Sequence, residues 1–429
     1  MILLNVELLK YIIISQREQM EELLQKGRII DRELDLDHIK QEIKFPNVLA
    51  ILGIRRSGKS VFTWLLMKGE KFGYINFFDE RLSTLQATEL SLVIQAFLEL
   101  YTDIDYFVFD EIQRIEGWER FVSRIRTSKR IIITGSNSDL LRGNLSSFIT
   151  GRHIDLTIFP FSFREFLKIN DVEIIGEWYL YDDKRAMVKQ MFNNYLVKGG
   201  FPEVQNLGTR ILQEIFRDII ENDIISQHHI RNKVGIRNLS QYLASNISKE
   251  ISFERLKGYL DIKNSHTVAK YVGYLEESYM FFLLQRFSNK LREQFIAPKK
   301  IYAIDTALAN SISFRITHDQ GRQFENIVFL ELMRRNLYLG LNEELFYWKD
   351  HRGREVDFVI KRENEIIELI QVSSIIDEDD LIQRETDNLI LCSNELKCEN
   401  LKVITLDYEA EDIIKGKKIG FIPIWKWLF

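Results

Sequence analysis

Five apolar residues, Val48-Leu49-Ala50-Ile51-Leu52, run into Gly53-Ile54-Arg55-Arg56-Ser57-Gly58-Lys59-Ser60, and Val61-Phe62-Thr63-Trp64-Leu65-Leu66-Met67 follows at once. This order leaves a chain little choice of local fold. The first run reads as a buried parallel strand and the last as a helix. Between them, Gly53 and Gly58 let the backbone curl until successive N–H groups point at one place, with the positive end of the helix behind them. That is a cradle for phosphate, so residues 53–61 are the expected nucleotide-binding segment. Lys59 would neutralise β- and γ-phosphate oxygens, and the Ser60 hydroxyl would ligate Mg²⁺. A chance glycine turn would not bring all four signature positions into a strand–loop–helix context.

Further strands are legible around it. Gly73-Tyr74-Ile75-Asn76-Phe77-Phe78 ends in Asp79-Glu80-Arg81, charged residues that face either a ligand crevice or solvent. Residues 105–111, Asp-Tyr-Phe-Val-Phe-Asp-Glu, form an apolar strand that delivers Asp110 to the Mg²⁺ shell. Glu111 beside it suits a general base that polarises water. A fourth strand, residues 130–135, ends in Ser136-Asn137-Ser138, where Asn137 is the expected contact to the γ-phosphate or the attacking water. Helical stretches at 85–101 and 118–127 join these strands into a parallel sheet. Arg152, and less strongly Arg142, is a candidate guanidinium for the γ-phosphate, in cis or from a neighbouring subunit. A surface arginine in a salt bridge fits Arg152 equally well.

The 429 residues exceed one ordinary core, so two or three domains are expected. A 45% hydrophobic and 28% charged composition is that of a globular protein. The net charge of −5 argues against a generally basic nucleic-acid binder and leaves room for a local basic face. Cys392 and Cys398 read as reduced thiols, since two cysteines make neither a disulfide framework nor a zinc site without help. The apolar start is interrupted by Glu7 and Lys10 and reads as an amphipathic helix packed on the first domain. No apolar run approaches the roughly 20 residues that span a bilayer. A cytoplasmic protein without a membrane partner is expected.

Taken together, the segments around Lys59, Asn76, Asp110-Glu111, Gly135-Ser136-Asn137, Gly151-Arg152 and Phe159-Pro160-Phe161 resemble the AAA+-like ATPases of archaea and bacteria. In that family an N-terminal ATPase is fused to a winged-helix segment and a C-terminal nuclease-like domain. Lys198-Gly199-Gly200-Phe201-Pro202-Glu203 and Lys300-Ile301-Tyr302-Ala303-Ile304-Asp305 match its later landmarks. The resemblance covers nearly the whole chain from about residue 30 onward. It implies an ATPase and supplies no substrate.

Residues 237–287 read as three helices and then a hairpin strand. Ser265 could cap a helix whose Val268, Val272, Leu275 and Tyr279 make one buried face. Its other face carries His266, Thr267 and Lys270, where a recognition helix would meet a major groove. Arg286, Lys290, Arg292, Lys299 and Lys300 form a basic cluster suited to DNA phosphates. The alternative is a protein-docking or purely structural module, which the acidic pair Glu276-Glu277 favours.

The last hundred residues resemble the PD-(D/E)xK nuclease pattern, which needs clustered acidic ligands for a metal and a lysine. Glu325 lies in a helix at 324–337 and Asp357 in a strand at 356–360. The next strand should bring Glu-x-Lys and instead has Gln371-Val372-Ser373. Alternation places Glu368 on the opposite face. Lys361 is placed to migrate in across the hairpin. A degenerate nuclease fold that binds without cutting is expected.

The expected architecture is therefore a P-loop NTPase α/β domain (1–160), a helical and winged-helix domain (161–290), and a small restriction-endonuclease-like α/β domain (291–429). The expected ligands are ATP or ADP and Mg²⁺, with double-stranded DNA, a homo-oligomer or a protein partner as further contacts. An ATP-driven switch leads. The alternatives are an ATP-regulated nuclease and a nucleotide-dependent docking regulator.

Overall fold

A computed structural model describes residues 5–43, 47–138, 152–259, 262, 264–314, 319–375 and 378–429. The chain divides into two compact units, residues 1–159 with 277–279, and residues 160–276 with 280–429.

The first unit is built on five strands, β1 (Val48–Leu52), β2 (Phe72–Asn76), β3 (Tyr106–Asp110), β4 (Arg130–Gly135) and β5 (His153–Thr157). They pair in parallel in the order β2-β3-β4-β1-β5, so β4 lies between the strand that leads into the glycine loop and the strand that ends in Asp110. Strands β1 and β3 are buried throughout, as their near-continuous apolar sequences require of a sheet covered on both faces. Leu49, Ile51, Val108 and Ile132 share a core with Phe62 and Leu66 of helix α2 (Lys59–Leu66). This is a P-loop NTPase fold.

Helix α1 (Val6–Lys26) starts on an Asn5 cap and buries Leu9, Ile12, Ile13 and Gln16, the four-and-three spacing of one apolar stripe. Gln16 is the exception in that stripe, and it has work there. Its amide donates to the Asn76 carbonyl at 3.0 Å and accepts from the Asn76 N–H at 2.8 Å, on the free side of edge strand β2. Helices α3 (Leu90–Leu100) and α4 (Trp118–Ile125) and a short helix at Leu36–Glu42 also belong to the unit.

In the second unit, helix α5 (Lys233–Ala244) leads to β6 (Lys249–Ile251), α6 (Phe253–Tyr259), α7 (Ser265–Glu277) and β7 (Phe281–Arg286). Short helix α8 (Leu291–Ile296) precedes β8 (Lys299–Ala303). Strand β8 pairs antiparallel with both β6 and β7. The boundary expected at residue 290 is therefore corrected: it falls inside the connection between two hydrogen-bonded partners, and no unit ends there. Helix α9 (Thr306–Ile312) and helix α10 (Gln320–Tyr338) follow. Strands β9 (Glu343–Lys349), β10 (Glu355–Arg362), β11 (Glu365–Val372), β12 (Leu401–Thr405), β13 (Ala410–Ile414) and β14 (Lys417–Pro423) extend the same sheet. Its order is β13-β14-β12-β11-β10-β9-β7-β8-β6.

Two landmarks of the sequence meet here. Asp305, fully buried at the start of α9, accepts from the Gly200 N–H at 2.7 Å and from the Leu308 N–H at 2.8 Å. A Cβ on Gly199, whose φ is 69°, would come within 2.4 Å of the same carboxylate, so only glycine fits. Cys392 and Cys398 are free and buried. Among the described residues no helix is long and apolar enough to cross a membrane.

Candidate functional site

Strand β1 ends at Leu52, and the chain turns through Gly53 at a φ of 140°. A Cβ there would lie 2.3 Å from the Ile158 carbonyl oxygen, so the turn excludes every other residue. Gly58, left-handed as well, caps α2. The loop is held from outside: Arg32, buried, donates to the carbonyls of Ser57 at 3.2 Å and Phe159 at 2.7 Å. Lys59 is also buried and donates to the carbonyls of Gly53 at 3.0 Å and Ile54 at 3.1 Å. Its ammonium lies 4.0 Å from Glu111 Oε1. The buried Ser57 hydroxyl has no hydrogen-bond partner, an orphan group at the centre of the cradle. Arg55 stacks its guanidinium 4.8 Å from the Phe78 ring, and Arg114 does so at 4.7 Å.

Asp110 is completely buried at the end of β3. Burial raises its carboxyl, and the neighbouring Glu111 charge raises it further, while donors from Thr134, Tyr74 and Ser60 pull the other way. Tyr74 donates to Oδ2 at 2.6 Å, Asn76 Nδ2 to the same oxygen at 3.3 Å, and the Thr134 hydroxyl to Oδ1. Thr134 in turn accepts from the Glu111 N–H at 3.0 Å. Glu111 itself has left-handed backbone angles, φ 55° and ψ 41°, which cost a residue other than glycine on the order of 1–3 kcal/mol. The strained turn aims its carboxylate at Lys59. Gln113 donates to Glu111 Oε2 at 2.6 Å and Ser136 to the same oxygen at 3.4 Å.

The structure thus brings together Gly53, Ile54, Ser57, Gly58, Lys59, Ser60, Asp110 and Glu111. Asn137 is buried at the end of β4, and the neighbour that reaches Glu111 is Ser136. Sequence reading missed Tyr74, Asn76, Gln113, Thr134 and Arg32. Alternation along β2 does put Tyr74 and Asn76 on one face, which was an available signal.

Arg152 requires a correction. Strand β5 runs parallel to β1 with His153 level with Val48, so exposed Arg152 stands at the end of the sheet away from the glycine loop. A five-residue strand, about 15 Å, separates the two, and a cis contact to phosphate is excluded. Arg142 lies outside the described residues.

At the start of α7, His266 and Lys270 are exposed and Thr267 half-buried. Lys290 and Arg292 are exposed beside half-buried Arg286, and Lys290 pairs with Glu293 at 2.9 Å. Lys300 does not belong to that basic cluster. It is buried, and its ammonium lies 2.8 Å from Glu325, 2.9 Å from Asp357 and 2.6 Å from Glu355. Gln371 is also present, accepting from the Asp357 N–H at 3.2 Å. Lys361 pairs with Glu344 and Glu368 with Lys402, so neither enters. Among the described residues no group of three or more His, Cys, Asp and Glu is arranged to hold a metal ion.

Residues 46–167 match the family model of an AAA domain. Residues 189–319 and 320–426 match two domains of unknown function, DUF8612 and DUF4143. An uncharacterized protein of Methanocaldococcus jannaschii is 34% identical over 425 residues, covering 95% of this chain and 92% of that one. An uncharacterized protein of Haemophilus influenzae is 28% identical, covering 92% of this chain and 98% of its own length. Among solved structures, the Walker-type ATPase of Pyrococcus abyssi aligns with a TM-score of 0.44 at 14% identity, covering 66% of this chain and 96% of that one.

Proposed function

Because the chain belongs to a P-loop ATPase family that it shares with the Methanocaldococcus jannaschii protein, we propose that it hydrolyses ATP and uses the cycle as a switch. The observation that carries this reading is the Lys59–Glu111 approach of 4.0 Å, with buried Asp110 beside it under donors from the two flanking strands, β2 and β4. The cradle fits a nucleotide. A Cβ at Gly53 would clash with the Ile158 carbonyl, Gly58 has a left-handed φ of 95°, and the Ser57 hydroxyl is buried without a partner.

Ser60 and Asp110 would hold Mg²⁺, which supplies charge neutralisation on the β- and γ-phosphates. Lys59 exchanges its two loop carbonyls for phosphate oxygens. Glu111 takes a proton from the attacking water as general base, and Gln113 and Ser136 hold that carboxylate. Asn137, at the same strand end, is proposed to contact the γ-phosphate or the water. If an arginine finger operates through Arg152, it comes from a second copy of the chain. Lys59→Ala should abolish nucleotide binding, while Glu111→Gln should bind ATP and not turn it over. Parent-like hydrolysis by Glu111→Gln removes the base assignment.

For the second unit we propose duplex DNA as the contact. The order helix, strand, helix, helix, strand, strand, with short helix α8 between the last two strands and β8 paired to β6 and β7, supports a winged-helix reading. His266 and Lys270 are exposed at the start of its third helix. A protein-docking role is the second reading, favoured by Leu291, Phe295 and Ile296 of α8, which are 71%, 68% and 72% exposed.

A further inference from the structure

We infer that the carboxylate site of the second unit is closed by the chain's own Lys300 ammonium, which stands where a nuclease of this pattern would hold a divalent cation. The site then serves as an internal joint between strands and not as a metal-dependent cutting centre. The inference does not rest on the ATPase reading, since it concerns residues of the other unit alone.

The side-chain contacts leave no room for a resident ion. An ammonium has three N–H donors, and Lys300 meets three carboxylates, Glu325, Glu355 and Asp357, at 2.6–2.9 Å. Each carboxylate is also engaged elsewhere. Asp357 Oδ2 accepts from the Val372 N–H at 3.0 Å. Glu325 Oε1 accepts from the Tyr302 hydroxyl at 2.6 Å. Glu355 Oε2 pairs with Lys349 at 2.9 Å, and Lys349 reaches on to Glu250. Gln371, which replaces a carboxylate of the nuclease pattern, is neutral and committed to the Asp357 N–H. A divalent cation needs several oxygens converging at roughly 2.0–2.6 Å, and the ammonium occupies the point on which these oxygens converge. Burial alone would lower Lys300, but Asp357, Glu325, Tyr302 and Glu355 outweigh it and hold its ammonium well above the ordinary range.

The origin of Lys300 gives the site its second meaning. It comes from β8, whereas Asp357 and Glu355 come from β10, and β7 and β9 lie between those strands in the sheet. Tyr302, next on the same face of β8, stacks its ring on Phe329 of α10 at 4.1 Å. One side chain thus ties the three-stranded element β6-β8-β7 to the strands that carry the carboxylates.

The test is a Mn²⁺ titration of the nucleotide-free full chain, read as loss of the free-ion signal in electron paramagnetic resonance. Asp357→Asn is the control, because an ion at the glycine loop survives that change and an ion at this site does not. Wild type should bind no Mn²⁺ that is sensitive to Asp357→Asn, and it should leave plasmid DNA intact in Mn²⁺. Lys300→Met should gain one Mn²⁺ per chain, lost again in Lys300→Met with Asp357→Asn. Its thermal midpoint should fall in chelator and recover in Mn²⁺. Wild-type binding or nicking abolished by Asp357→Asn would overturn the inference, and that arm decides even if Lys300→Met does not fold. A folded Lys300→Met that takes up no ion would overturn it too.

Discussion

The Gln113 amide donates to Glu111 Oε2 at 2.6 Å, so the candidate base is held by a side chain only two residues along the same strained turn. General-base groups contribute about 10²–10⁴-fold to rate, and Glu111→Gln is expected to lose turnover on that scale while keeping ATP affinity. Gln113→Leu should release the carboxylate and raise basal turnover with little change in KM. Steady-state hydrolysis of the two variants beside the parent decides both points, and a parent-like Gln113→Leu would remove Gln113 from control of the base.

Gly53→Ala places a methyl group 2.3 Å from the Ile158 carbonyl at a φ of 140°. The backbone must shift, at a cost on the order of 1–3 kcal/mol, and the shift falls on the loop that Arg32 and Lys59 hold in place. Weaker binding of a fluorescent ATP analogue and a lower thermal midpoint are expected together. Unchanged binding would mean that the loop does not receive phosphate in this conformation.

Burial, with Asp357 next to it, raises Glu325 from the ordinary 4.5 to about 8. Lys300, Tyr302 and Asp357 face it. Between those two values the folded chain keeps a proton that the unfolded chain releases. Stability should therefore fall as pH rises through that window and level off above it, by at most about 1.4 kcal/mol per pH unit. Urea melts at pH 5 and pH 8 should show the loss in the parent and a smaller one in Glu325→Gln. Equal slopes in both proteins would show that Glu325 ionises normally.

Duplex binding, if it runs through Arg286, Lys290 and Arg292, should weaken steeply with salt because each phosphate contact releases condensed counterion. Reversing all three charges should lower affinity for every duplex sequence and reduce the salt slope by about three. Gel shifts over a salt series measure this. No affinity at low salt would favour the exposed apolar face of α8 as a protein-docking surface.

The parallel sheet and the glycine loop were legible because β1, β3 and β4 are short, apolar and followed by residues whose chemistry depends on being at a strand's end. Helix α7 and the positions of Glu325 and Asp357 were legible for similar reasons of period. The errors share one cause, that strand neighbours are not written locally. Arg152 follows a plausible motif, yet the β1–β5 register carries it to the end of the sheet away from the glycine loop, which bears on its cis role and leaves its role from a second copy untouched. Lys300 looked like one more basic residue, although alternation with buried Tyr302 already placed it on an inward face. Gln16 and Asn76 are sixty residues apart, and nothing local announces their pairing.

That pairing has a consequence for the chain in a crowded solution. Asn76 lies on the outermost strand of the first sheet, where an open N–H and C=O invite another chain to add itself. The Gln16 amide offers the acceptor and the donor that a neighbouring strand would offer, and so occupies the vacancy from within. Helix α1 is in this respect a stopper against polymerisation. A chain lacking it would present a bare apolar edge ready for sticking, just where Asn76 also touches Asp110.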